Sequence, residues 1–183
     1  SVVVGLFGYL IFVVQFEYGF SIISGALALT VFNLPQMTRN VEDSLRHVHH
    51  TQREAGLALG ISRWETVLHV VIPEALPSIV TGIVLASGRI FGEAAALIYT
   101  AGQSAPALDW SNWNIFSVTS PISIFRQAET LAVHIWKVNS EGTIPDGTAV
   151  SAGSAAVLLI FILIFNLGAR KLGSYLHKKL TSA

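Results

Sequence analysis

The chain has 183 residues, enough for one ordinary domain; 52% are hydrophobic and only 12% charged, where about 25% charged is usual for a soluble domain. Its 11 basic and 11 acidic residues cancel, so no global field draws nucleic acid. The absence of Cys removes disulfides, thiolate zinc sites, iron–sulfur clusters and a Cys nucleophile together. A mean hydropathy of +0.59 disfavours disorder and a soluble enzyme and points to a membrane protein.

The positions of the charges carry more information than their number. Residues 1–16, 18–38 and 147–169 contain no Asp, Glu, Lys or Arg, and 75–108 contain only Arg89 and Glu93. A helix needs roughly 20 apolar residues to cross a bilayer. The runs predict an all-α membrane protein with four transmembrane helices, at about 1–16, 20–38, 77–100 and 150–168. The first run lacks a basic n-region and a small-residue cleavage site, so it reads as a span rather than a signal peptide. It is short and opens at Ser1 without Met, which suits a span cut at its N-terminus.

Lys and Arg in the loops set the orientation. Segment 39–74 holds Arg39, Arg46, Arg53 and Arg63, and the tail holds Arg170, Lys171, Lys178 and Lys179, whereas 101–149 holds only Arg126 and Lys137. Four spans put the first two groups on one side, which is then cytoplasmic, as is the C-terminus.

Segment 39–74 is amphipathic and strongly punctuated. Thr51-Gln52-Arg53-Glu54 fits a capping box opening a short helix over 55–59. Gly60 stops that helix in the left-handed conformation. Ser62-Arg63-Trp64-Glu65 is a second capping box, opening a helix through Val71, and Pro73 and Pro77 interrupt the chain before the next span. His47, His49 and His50 read as a solvated helix end, not a metal site.

In the span 77–100, Arg89 and Glu93 lie four residues apart and would share a helix face. Each costs roughly 2.5–3.5 kcal/mol at a helix centre, a cost that a wet cavity or a partner charge reduces. Either they lock two helices as an ion pair or they line a substrate path, where Arg offers an oxyanion a fork of donors. The following segment, 101–149, is too long for a bare turn. Ser120-Pro121 can start a helix, and Ala128, Leu131, Ala132 and Ile135 repeat at helical spacing. Trp110, Trp113 and Trp136 suit the headgroup level. No P-loop exists, because no Gly-Lys pair occurs; H-E-x-x-H is absent too.

Two stretches carry a family resemblance. Glu54-Ala55-Gly56-Leu57-Ala58-Leu59-Gly60, followed by nine residues and Val70-Val71-Ile72-Pro73, resembles the EAA loop of ABC-importer permeases, with Gly56 in place of Ala. Gly88-Arg89-Ile90-Phe91-Gly92-Glu93-Ala94 resembles a stretch of phosphate-importer permeases. So do Glu129 to Trp136, with Ala132 in place of Pro, and Phe165-Asn166-Leu167-Gly168-Ala169-Arg170. The resemblance is to the PstA-type subunit within the MetI-like permeases and covers nearly the whole chain. It implies one permease domain over 1–183, incomplete at its N-terminus because family cores have five helices and PstA-type chains usually add one. It implies a cytoplasmic EAA loop at 39–74 that seats Glu54, Ala55, Gly56, Leu57, Gly60, Trp64 and Pro73 against an ATPase. It also implies a phosphate path with Arg89 and Glu93. This chain would bind no cofactor itself; ATP and magnesium would sit on a PstB-type subunit dimer. The further partners implied are a PstC-type permease, a PstS-type phosphate-binding protein and membrane lipid, in a prokaryotic plasma membrane. Composition and spacing alone reach only a permease with a charged path, leaving sulfate, molybdate or amino-acid importers and a secondary transporter open.

Overall fold

A computed structural model describes residues 1–142 and 145–181, the side chains of 172 and 176–181 apart. Eight α-helices follow in chain order, and no strand occurs among the described residues: α1 Val2–Gly8, α2 Ile22–Arg46, α3 His50–Ala58, α4 Arg63–Thr66, α5 Ile72–Phe91, α6 Ala95–Thr100, α7 Leu131–Glu141 and α8 Gly147–Thr181. Two π-helical stretches extend this set, Tyr9–Gln15 after α1 and Val67–Val71 between α4 and α5.

The all-α expectation holds, but the four-span expectation does not. Two helices among the described residues are long and apolar enough to cross a membrane, Arg63–Phe91 and Gly147–Tyr175. Only 11% and 6% of their most apolar stretches are buried. A core helix of a soluble protein would be wrapped by its own chain, so these two need lipid or another subunit around them. The first expected span is a 14-residue helix in two parts, Val2–Gln15, about 21 Å long against a hydrocarbon core of about 30 Å. The second, α2, has ample length but the wrong composition. Thr30 and Asn33 interrupt its apolar part, and Pro35, Gln36, Arg39 and Asn40 follow. Its apolar stretch is thus roughly 13 residues, about 20 Å.

Nor do Pro73 and Pro77 interrupt the chain. Both lie within α5, which continues the helix begun at Arg63. The π-helical turn at Val67–Val71 resets the hydrogen-bond register just ahead of them, which lets a helix carry residues lacking an N–H.

The chain forms two compact units, Ser1–Asn33 with Arg89–Ile162, and Leu34–Gly88 with the stretch from Leu163 onward. The first is centred on α6. Leu97, Ile98 and Ala101 pack with Val133 of α7, against Leu29 and Ala94. Small residues bring the neighbouring helices close: a Cβ on Gly5 would lie 2.9 Å from the Ala96 Cα, and one on Gly25 would lie 2.9 Å from the Ala101 Cβ. Such stripes suit packing in lipid, where dispersion at short range replaces the hydrophobic effect. Ile22 and Ile23 donate their N–H groups to the Arg126 and Ile124 carbonyls at 2.9 and 3.0 Å, so the loop before α7 closes the start of α2. The predicted helix at Ser120-Pro121 is absent; turns occupy that stretch, and α7 begins at Leu131 with Thr130 as its N-cap.

In the second unit, Val48, Val71 and Ala75 form a small core with Leu45 and Ile79. The Ser44 hydroxyl bonds that of Ser78 at 2.9 Å, joining α2 to α5. Asn166 of α8 lies against α5 at Gly88, where a Cβ would meet its Oδ1 at 2.9 Å.

The two close approaches should respond differently to bulk. Gly5→Val meets Ala96 and Ala95 backbone atoms, which cannot swing aside, and should cost about 1–3 kcal/mol. Gly88→Leu meets a side chain, so Asn166→Ala should restore most of its loss. Thermal unfolding midpoints of detergent-purified single and double variants check this; an Asn166→Ala background that leaves Gly88→Leu as unstable as before contradicts the packing.

Candidate functional site

Arg89 stands in the last turn of α5. There a cation meets the negative end of the helix dipole favourably. Its guanidinium is exposed and lies over the Phe32 ring, 5.5 Å from the centroid, a cation–π geometry. No carboxylate pairs with it among the described residues. Glu93 does not share its helix face. The helix ends at Phe91, the Gly92 N–H turns back to the Arg89 carbonyl at 3.2 Å, and the Glu93 N–H to the Ile90 carbonyl at 3.0 Å. These tightened turns end the α-helix, and α6 starts afresh at Ala95. The half-buried Glu93 thus sits in a three-residue break, and the four-residue spacing that suggested a shared face has no helix to act through. A charged residue just before a break in a spanning helix is the arrangement by which transport proteins expose backbone and charge to a solute.

The second group of predicted residues lies in α3, α4 and the turn between them, except Pro73, which lies in α5. An EAA loop is not identifiable as such in this fold. The first expected capping box does not form. α3 starts at His50, with His49 as an N-cap that makes no side-chain bond, and the Glu54 carboxylate is taken by His50 Nδ1 at 3.0 Å. The second box forms as expected: Ser62 Oγ accepts from the Glu65 N–H at 3.2 Å, and Glu65 Oε2 accepts from the Ser62 N–H at 2.9 Å. Gly60 has φ +78°, a left-handed conformation that disfavours a Cβ.

Gly56, which departs from the family pattern, has a local reason. It is buried, and a Cβ there would lie 2.8 Å from the Thr66 Cγ2. The missing methyl lets α3 rest on α4. Ala55, Leu57 and Trp64 are exposed, Leu59 more so, and Pro73 is half-buried in the first turn of α5. Beside them is an apolar recess of about 280 Å³ lined by Leu45, Leu57, Val67 and Val71, with Arg53, Arg63 and Thr66. Arg53 is held in place by a 2.5 Å bond from Nη2 to the Leu45 carbonyl near the end of α2. No group of three or more His, Asp or Glu is placed to hold a metal among the described residues.

Two features escaped the sequence reading. One is a groove between the second half of α2 and α5, about 420 Å³, where Asn40, Asp43, Ser44, His47, Ser78 and Thr81 line it together with Pro77 and Leu85. The three-to-four-residue spacing of Asn40, Ser44 and His47 was the signal available for it. The other is the burial of Asn166, which the sequence marked only by family resemblance: its Oδ1 is buried without a partner.

A family model, the binding-protein-dependent transport system inner membrane component, matches residues 1–182. The chain is 59% identical over 182 residues to a probable ABC transporter permease protein YqgI of Bacillus subtilis (strain 168), covering 100% of this chain and 62% of that one. It is 36% identical over 173 residues to the phosphate transport system permease protein PstA of Xylella fastidiosa (strain 9a5c), covering 94% of this chain and 55% of that one. With the PstA of Haemophilus influenzae it shares 32% over 179 residues, 98% of this chain and 57% of that one. The chain thus spans somewhat over half the length of these curated relatives. No solved structure matches it. With two helices long and apolar enough to cross a membrane and a family match along almost its whole length, the chain belongs to the binding-protein-dependent transport system inner membrane components, as an ABC-transporter permease related to the PstA-type phosphate permeases.

Proposed function

We propose that this chain is the PstA-type permease subunit of an ATP-driven importer that carries inorganic phosphate across a prokaryotic plasma membrane. The observation that carries the reading is Arg89: a guanidinium with no carboxylate partner among the described residues, at the end of a helix long and apolar enough to cross a membrane, in a chain related to phosphate permeases. A guanidinium stays charged at any physiological pH and presents donors in a planar fork that matches a tetrahedral oxyanion. Phe32 shields one face and leaves the edge for an anion. Glu93, in the break, hydrogen-bonds a protonated phosphate oxygen and offsets the arginine's charge when the path is empty.

The remaining parts follow from that reading. A PstC-type permease completes the path, and a PstS-type protein delivers phosphate from outside. A PstB-type dimer binds ATP and magnesium and hydrolyses the nucleotide. The surface of α3 and the turn to α4, with Leu57, Leu59 and Trp64 exposed, is the contact for that dimer. An apolar patch of this size beside arginines suits a protein partner better than water.

Two outcomes test these roles. Losing a charge-assisted fork costs about 1.5–3 kcal/mol, so Arg89→Ala should lower phosphate uptake by tenfold or more, and Arg89→Lys should restore it only in part. Uptake of labelled phosphate at equal assembled complex measures this; full uptake by Arg89→Ala contradicts the path assignment. Gly60→Val places a β-branched residue at positive φ, a strain of about 1–3 kcal/mol, and should tilt α3 away from its partner. The complex should then insert normally yet show less phosphate-stimulated ATP hydrolysis; unchanged stimulation contradicts the coupling role.

A further inference from the structure

Two arginines line the apolar recess of the second unit, and no carboxylate among the described residues pairs with either. Leu45, Val67 and Val71 supply the apolar wall. The Thr66 hydroxyl beside them is spent on the Ser62 carbonyl at 3.0 Å. The carboxylates nearest in sequence are also committed elsewhere. Glu54 accepts from His50 at 3.0 Å, and Glu65 accepts from the N–H and hydroxyl of Ser62 at 2.9 and 2.8 Å. The Ser62 backbone N–H, and then its hydroxyl, hold the Glu65 carboxyl below its ordinary range, so it stays ionised within its cap. Arg53 is fixed through Nη2 on the Leu45 carbonyl, while its Nε is buried without a partner. Arg63 is exposed, in the first turn of a helix that continues to Phe91. That is the positive end of the helix dipole, where a cation is disfavoured, so local stability does not call for it there.

A guanidinium offers donors and no acceptor, so the complement of this recess is apolar in its body and negative at its edge. A phospholipid has that chemistry but does not reach the charged rim. Glu74 is the last charge before the uncharged stretch 75–88, which puts the hydrocarbon edge near Ala75. Arg63 precedes Glu74 by eleven residues, about 16 Å along the helix, whereas the headgroup layer is about 5–8 Å deep on each side. The rim thus meets a protein on the aqueous side. We propose that the recess is a socket for one bulky apolar side chain that the partner ATPase carries on an acidic segment, with a carboxylate of that segment on Arg63. An apolar anchor seated in a pocket and flanked by opposite charge is how interfaces concentrate their binding energy. The socket rests on the proposed ATPase contact at α3 and the turn to α4, and adds which side supplies the cavity and what chemistry fills it.

The full-length protein and its partner permease, in phosphatidylcholine nanodiscs, are titrated with the purified ATPase subunit over a series of NaCl concentrations. Arg63→Glu sets like charges against each other and should weaken ATPase binding by about tenfold or more, while flattening its dependence on salt. Arg63→Lys should stay close to the unaltered protein. Val67→Trp fills the recess without changing charge; it should weaken binding by a similar factor and leave the salt dependence intact. Both positions are exposed, so neither change disturbs a core. Either Arg63→Glu or Val67→Trp binding as tightly as the unaltered protein overturns the socket. A loss in Arg63→Glu that appears only when phosphatidylglycerol is added to the discs overturns it too, by making a lipid the occupant. The chain contains no Cys, so a bimane on Leu59→Cys, with cysteine-free partners, reports separately whether the ATPase covers this surface. A label that responds while both variants bind normally leaves the contact standing without the socket. A label blind to bound ATPase removes the contact and the socket together.

Discussion

A guanidinium placed at the middle of a membrane costs about 2.5–3.5 kcal/mol on insertion scales, and this chain arranges a helix end around that cost. α5 stops two residues beyond Arg89. The arginine then sits at the negative end of a 20-residue helix, with its charge drawn toward the helix dipole and spread over Phe32. Had the helix run on through Glu93, the two charges would have faced each other and neutralised the site. The break at Gly92 keeps them from pairing, which is what the proposed anion path needs of the arginine.

The rest of the first unit packs around the helix that follows this break. Helix ends expose unpaired backbone groups, which hydrocarbon cannot satisfy. α6 resumes at Ala95, and its Ala96, Leu97, Ile98 and Thr100 are buried among neighbouring helices. Gly5, Gly8 and Gly25 leave room for that burial. The chain is therefore enclosed by protein from α6 onward, whereas the break itself stays open, with Gly92 exposed and Glu93 and Ala94 half-buried.

Much of this was legible in the sequence, for identifiable reasons. Missing charges disclosed a membrane protein, because a charge is the costliest thing a span can carry. Ser62 with Glu65, and the glycine at 60, were legible because caps and left-handed turns depend on residues close in sequence. The number of spans was not. Absence of charge was taken for sufficient length and apolarity, although α2 turns polar at Asn33 and the first run is too short. The Arg89–Glu93 face failed because spacing presupposes a continuous helix, and the chain turns out of the helix at Gly92. The prolines misled in the opposite sense: a five-residue π-helical stretch, Val67–Val71, leads into α5, which runs on through Pro73 and Pro77. Gly56 shows the same limit, since its reason lies on Thr66 of the next helix.

The central proposal is that this chain carries phosphate in an importer driven by ATP hydrolysis on partner subunits. The most direct test uses proteoliposomes holding the full-length protein with its partner permease and ATPase, the phosphate-binding protein outside and an ATP-regenerating system inside. Labelled phosphate is followed while the membrane potential is clamped at zero. The account predicts accumulation that requires ATP, persists without a potential and is not displaced by excess sulfate or molybdate. Accumulation that follows the potential and ignores ATP, or that sulfate or molybdate abolishes, would contradict it.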